Sequence, residues 1–493
     1  MRYLFNSQIF ITFAFVIEQL LKDSIVDALP FPPTEEQAHA IETFATFFSG
    51  RNKASAMILR GCAGTGKTTL ASAIVKVLSA LGQKAILLAP TGRAAKVFSV
   101  YSGKEALTIH RKIYRQKTFN GTDTAFTLDF NKSKRALFII DESSMISNYG
   151  GESIFGSGRL LDDLIQYVYQ EGDQCRILFM GDKAQLPPVG EGESPALSAN
   201  AIESYGLEVF VAELNEVMRQ QEESGILYNA TQIRNHSLFD LPKIRLKGFA
   251  DIQRITGSEL IESLSNSYHS AGIDDTIVVT RSNKRANIYN QGIRRTVLDM
   301  EDKMCSGDML MVVKNNYFWP ENDPGCDIAF IANGDRAIVK RIRNEHQQYD
   351  FTFADVTLEF PDYDNYEMTM RMMFDTIYSE SPALTHEQNE HLYQSVLEDY
   401  SLQPNHPKSK RKLLDQVKSD SYFNALQVKF AYAVTCHKAQ GGQWAHVYLD
   451  QGYMTEAMLT EDYIHWLYTA FTRATEKLFL VNWPKEQIEN IEN

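Results

Sequence analysis

Uninterrupted apolar runs separated by polar, helix-prone stretches organise the first two hundred residues: Ala56–Leu59, Lys84–Ala89, Ala136–Ile140 and Arg176–Met180. Short runs without alternation predict strands buried on both faces, hence a parallel sheet covered by helices. Thr118–Lys134 breaks this rhythm, and its Asn120-Gly121 pair between extended runs predicts a projecting hairpin. A second α/β unit is expected from about Glu213, with a strand at Thr276–Thr280. From Met304 to Phe360 the pattern changes to short strands with turn signals, predicting a small β-rich insertion, such as a barrel. Asp362–Ser421 is polar and helix-prone, and strands resume at Leu426–Thr435, Val447–Leu449 and Leu478–Val481. The whole reads as two α/β halves, the second split by insertions.

The N-terminal stretch Tyr3–Leu21 is apolar, but Asn6-Ser7-Gln8 and Glu18-Gln19 interrupt it and Arg2 is its single basic flank. A packed amphipathic helix fits this better than a signal peptide, and no other segment has the length of a membrane span. A soluble, cytoplasmic protein is expected. The 493 residues suffice for three or four domains, and the five scattered cysteines fit a reducing compartment rather than a disulfide framework. The net charge of −13 argues against a polyanionic partner, yet residues 93–135 carry ten basic side chains against three acidic ones. Phe98, Tyr101, Tyr114 and Phe119 are interleaved with them, the composition of a surface that tracks phosphates and stacks bases.

The chemistry concentrates at strand ends. Gly61-Cys62-Ala63-Gly64-Thr65-Gly66-Lys67-Thr68 lies between a strand and the helix-favouring Leu70–Leu78, the setting of a phosphate-binding loop. Glycines let backbone N–H groups curl around an anion, Lys67 reaches the β/γ-phosphates and the Thr68 hydroxyl can ligate Mg²⁺. The buried strand Leu137–Ile140 ends in Asp141-Glu142, which can hold the metal and take a proton from water. Gly181-Asp182-Lys183-Ala184-Gln185 follows another strand, and Gln185 could orient that water. Gln37 precedes the first helix, where an amide could read an adenine edge. Arg219 and Arg473, both in the second half, are candidates to meet charge on the γ-phosphoryl.

This ordered set resembles a superfamily 1 helicase of the RecD-like group. The matching segments are the Gln37 segment, Gly61–Thr68, Ala89–Ala95, Thr108–His110, Asp141–Met145, Gly181–Val189, Met218-Arg219, Val434–Gly441 and Tyr468–Ala474. The resemblance implies an α/β fold of two RecA-like P-loop NTPase domains, with a β-hairpin inserted in the first and a small β-barrel plus helical insertion in the second. Its boundaries would be an N-terminal helical segment at 1–33, a first domain at 34–210 with a pin at 118–134, and a second domain at 211–303 and 426–493. An SH3-like barrel would fill 304–361 and helices 362–425, with Phe119 or Phe126 wedging the duplex from the pin.

ATP and Mg²⁺ are the implied cofactors. Gln37, Gly61, Ala63, Gly64, Thr65, Gly66, Lys67, Thr68, Thr69 and Gly441 would surround the nucleotide, and Thr68 and Asp141 would hold the metal. Lys67, Asp141, Glu142, Gln185, Arg219 and Arg473 would serve the hydrolysis. Single-stranded DNA would cross both domains at Pro90, Thr91, Arg93, Thr108 and His110, then Thr435, His437, Lys438 and Gln440. The implied activity is unwinding at single-strand/duplex junctions, 5′ to 3′, by a monomer or weakly associating protein. An RNA-directed helicase, or an ATP-gated binding protein docking through 362–421, are the alternatives.

Overall fold

The computed structural model describes residues 17–489 except 51–53, 117–125, 151–155, 171–173, 217–222, 327, 329 and 403–409. In the first domain the strands are β1 Ser55–Gly61, β2 Ala85–Ala89, β3 Ala106–Thr108, β4 Tyr114–Gln116, β5 Phe126–Leu128, β6 Leu137–Ile140, β7 Arg176–Gly181 and β8 Glu208–Leu214. All but β4 and β5 form one parallel sheet in the order β3-β2-β6-β7-β1-β8. Side chains alternate between two cores: Met57 and Leu59 face one layer of helices, while Ala56 and Ile58 face the other. That two-sided burial is why these strands carry no polar alternation. The helix at 17–28 packs Leu21 and Ile25 into the first of those cores. Among the described residues no helix is long and apolar enough to cross a membrane.

β9 Ile252–Ile255, β10 Thr276–Thr280, β16 Ala433–Thr435, β17 Trp444–Asp450 and β18 Ala474–Val481 form a second parallel sheet, ordered β16-β10-β17-β18-β9. Between β10 and β16 lies a closed barrel of β11 Met309–Val312, β12 Arg336–Gln348, β13 Phe351–Phe360, β14 Tyr366–Met373 and β15 Leu426–Phe430.

Three expected boundaries shift. The first domain runs to Leu214 rather than 210, because β8 pairs with β1 over its whole length. The barrel does not end at 361: it closes only when β14 and β15 join it, since Met372 and Met373 pair with Leu426 and Gln427. The helical insertion is therefore the excursion between those strands, with helices His386–Leu402 and Lys410–Lys418. Its Leu392, Val396 and Val417 pack on Phe351, Phe353 and Met373 at one end of the barrel. The hairpin starts earlier than expected, with β4 and β5 paired at its base. Phe119 lies outside the described residues, and Phe126 does not sit at a tip. It is buried at the base, 4.5 Å from the Tyr317 ring and 6.4 Å from that of Phe330. A phenyl ring held inside an aromatic cluster is not free to wedge a duplex.

Candidate nucleotide site and strand interface

A cleft of about 640 Å³ separates the domains, walled by Gly64, Lys67, Thr68, Asp141, Glu142 and Gln185 on one side and Gly441, Thr472 and Arg473 on the other. The loop after β1 turns through Gly64 and Gly66 at φ +79° and +81°, a left-handed conformation that glycine adopts without the Cβ penalty. Gly66 is the N-cap of the helix Lys67–Ala80, so the first-turn N–H groups lack intrahelical partners and can bind an anion. Gly61 is needed for space, because a Cβ there would lie 2.8 Å from the Lys67 side chain. The Lys67 ammonium donates to the Gly61 and Cys62 carbonyls at 2.5 and 2.9 Å.

Gln37 holds this loop from behind. Its amide donates to the Thr65 carbonyl at 2.9 Å and accepts from the Thr34 N–H at 3.2 Å, completing a capping box with the Thr34 hydroxyl. With 5 % of its surface exposed it does not line the cleft. Ala28 and Pro30, and Ser224, Ile226 and Leu227 of the second half, line it instead. They carry no motif, and nothing in their local sequence signals the role.

Asp141 immediately follows β6, its carboxylate accepting the Glu142 N–H at 2.9 Å. Burial and the adjacent Glu142 charge push the Asp141 carboxyl well above the usual aspartate range, with Lys67 as the opposing cation. Asp141 and Glu142, lining the same cleft as Thr68, are a donor set that a hard divalent cation would satisfy, so Mg²⁺ fits here. Gln185 is 7 % exposed, and its side-chain oxygen has no hydrogen-bond partner among the described residues. Across the cleft, Arg473 is 2 % exposed and fixed by the carbonyls of Thr469 and Gly442 and by the Thr472 hydroxyl, at 3.0, 3.1 and 3.1 Å. Arg219 lies outside the described residues.

The helix Glu461–Phe471 of the second domain grips the Gln185 loop. His465 Nδ1 bonds the Ala184 carbonyl at 2.8 Å, and the Leu186 N–H donates to the Thr469 hydroxyl at 2.8 Å. The Tyr468 hydroxyl accepts the Ala63 N–H at 2.9 Å and donates to Asp182 at 2.5 Å. Gln440 adds a bond to the Leu186 carbonyl at 2.7 Å.

The residues expected along a strand cluster at the carboxyl ends of two edge pairs. Pro90 follows β2 beside Thr108 of β3, and Thr435 ends β16 beside Thr280 of β10. The Thr91 and Thr108 hydroxyls are engaged as helix N-caps, accepting from the Ala94 and Arg111 N–H groups. His110 packs against Tyr114 and Phe330, and burial drives its pKa down to about 4. His437 is exposed, and Lys438 bonds Asn333 at the barrel, with burial lowering its pKa to about 8. Gln440 and Arg93 turn inward, between domains: Arg93 lies 4.0 Å over the Trp444 ring and donates to the Gln443 carbonyl at 2.5 Å. Desolvation lowers the Arg93 pKa to about 9. Sequence order placed these two beside the strand positions, but only packing shows which way they point.

Two parallel sheets flanking one cleft, with a P-loop on the first, give this protein the fold of two tandem RecA-like domains. A family described as an AAA domain matches residues 33–240, and one described as a UvrD-like helicase C-terminal domain matches 430–481. The chain is 27% identical over 270 residues to the ATP-dependent DNA helicase dda of Enterobacteria phage T4, covering 53% of this chain and 57% of that protein. It is 29% identical over 160 residues to the ATP-dependent RecD2 DNA helicase of Deinococcus radiodurans, covering 32% of this chain and 19% of that one. The matches thus span little more than half of the first relative's length and a smaller share of the second. A Bacteroides Pif1 helicase crystallised with ADP-AlF3 and ssDNA superposes with a TM-score of 0.46 at 16% identity, covering 94% of this chain and 95% of that one. The two matching families fall on the first and the second parallel-sheet domain, and with the ordered motifs they support a likeness to the RecD-like group of superfamily 1 helicases.

Proposed function

We propose that this protein hydrolyses ATP between its two RecA-like domains to move along single-stranded DNA, 5′ to 3′, and to separate duplex at single-strand junctions. The observation that carries this reading is the composition of one cleft, with the phosphate loop and acids on one domain and Arg473 on the other. A triphosphate bound there is complete only when both domains contact it, so binding and hydrolysis change the relation between them.

Loop N–H groups and Lys67 hold the β- and γ-phosphates, and Gln185 orients a water in line with the γ-phosphorus. Glu142 accepts that water's proton, and Arg473 meets the charge spreading over the equatorial oxygens. Thr68 and Asp141 would hold Mg²⁺, which neutralises phosphate charge when bound. Strand contacts at the carboxyl ends of β2, β3, β16 and β10 lie on both domains, so cleft closure shortens or lengthens the grip on the strand. Relatives named as ATP-dependent DNA helicases support this assignment.

Strand displacement with ATP on matched 5′-tailed, 3′-tailed and RNA-tailed duplexes tests activity, direction and substrate together. Unwinding of the 5′-tailed DNA alone is expected, with turnover rising sharply on adding single-stranded DNA. Lys67→Ala should reduce hydrolysis by at least about a hundredfold while strand binding stays within about twofold. Unstimulated turnover and no strand binding at low salt would remove the reading altogether. Displacement of the RNA-tailed substrate would move it to an RNA-directed helicase, and stimulated turnover with no displacement to an ATP-gated binding protein.

A further inference from the structure

Tyr468 is a motif residue of the second domain, but its hydroxyl lies in the first. It is 1 % exposed and bridges two loops that line the interdomain cleft from different strands. On one side it accepts the N–H of Ala63, a phosphate-loop residue that lines the cleft; on the other it donates to Asp182, three residues before Gln185. Asp182 is itself buried at 2 % exposure, and its second oxygen accepts the Ala184 N–H at 3.0 Å, holding the turn that presents Gln185. Burial and the Asp182 charge push the phenol well above its ordinary range, so it stays protonated and keeps donating. His465 and Thr469, on the same helical face three before and one after, hold Ala184 and Leu186. Arg473 follows five residues later on the same segment, and its guanidinium is anchored to Thr469.

We infer that Tyr468 is a positioning residue that couples the phosphate loop and Gln185 to the second domain, so that strand engagement there sets the geometry of hydrolysis. This rests on the ATPase reading above. The physical basis is that the hydroxyl can make both bonds only when the second domain is seated. Movement of the helix Glu461–Phe471 shifts Ala63, Gln185 and Arg473 together, and angstrom-scale shifts of catalytic groups change rates by large factors. The phenyl ring alone fills the same space but links nothing.

The test compares ATP turnover with and without single-stranded DNA in Tyr468→Phe and in wild type, alongside strand binding by fluorescence anisotropy and a melting curve. The expected result is a loss of roughly tenfold in the ratio of strand-stimulated to basal turnover, with strand affinity within about twofold of wild type. Equal losses in both turnovers, leaving the ratio intact, would reduce Tyr468 to a packing residue and overturn the inference. If Tyr468→Phe does not fold, Asp182→Asn decides: it keeps size and weakens the same bond, so a smaller fall in the ratio supports coupling and an unchanged ratio overturns it. A wild-type protein with no strand stimulation would defeat the functional reading itself, an outcome separate from these.

Discussion

At the residue scale, Asp141 shows how position sets chemistry. Its local sequence states only that two acids follow an apolar strand; burial beside Glu142 then raises its carboxyl above the ordinary value of 3.8. A raised acid binds its proton more tightly in the folded chain. The stability it contributes is full below the unfolded pKa and is lost as pH rises through the folded one. The nucleotide-free protein should therefore melt at lower temperature as pH rises from about 4 towards neutrality, partly through this group. Asp141→Asn should flatten that slope, measured by thermal melts across the range, and Mg²⁺ with a nucleotide should offset it in wild type alone. An unchanged slope in the variant would locate the pH dependence elsewhere.

Gln37 teaches the complementary lesson. The sequence put it before the first helix, where a free amide could face a base; it lies instead in the first turn of the helix Glu35–Ser49. Its two hydrogen bonds to Thr34 and Thr65 instead make it a brace for the loop. Hydrogen-bond partners nearly thirty residues away in sequence leave no local trace.

At the scale of elements, the joints between domains are built from segments that look like surface motifs. Gly442 leads into β17 beside the Arg93–Trp444 stack, and a Cβ there would lie 2.4 Å from the indole and 3.0 Å from the Arg93 guanidinium. Gly442→Ala should force the ring away and loosen that joint, costing about 1–3 kcal/mol in urea unfolding, as overpacked sites do. A shift below about 0.5 kcal/mol would mean that the indole relocates freely. The strands themselves were well marked, because burial on both faces leaves an apolar run in the sequence. The barrel was only partly legible: β14 and β15 are separated by some fifty residues of helix and turn, and closure through a pair so distant is a property of register, not of composition. Asn120-Gly121 lies outside the described residues, but the strands flanking it pair as a hairpin base, and the fate of Phe126 depended on Tyr317 and Phe330, about two hundred residues away.

For the whole molecule, the cleft and the two sheet edges proposed to hold the strand should be thermodynamically linked. If a nonhydrolysable ATP analogue favours the seated arrangement, single-stranded DNA should tighten its binding by a factor between about 5 and 150, and the analogue should tighten DNA binding equally. Anisotropy titrations of each ligand in the presence of the other measure both factors, and a factor of one would mean that the cleft and the edges are independent.

The sequence alone determined the phosphate loop, the acid pair and the two α/β halves, since each depends on a few neighbouring residues or on local periodicity. Tertiary structure alone decided that Gln37 braces, that Arg93 and Gln440 turn into the interdomain joint, and that Tyr468 reaches across it. Those roles arise from contacts between segments tens to hundreds of residues apart, whose geometry exists only after both sheets have formed and met.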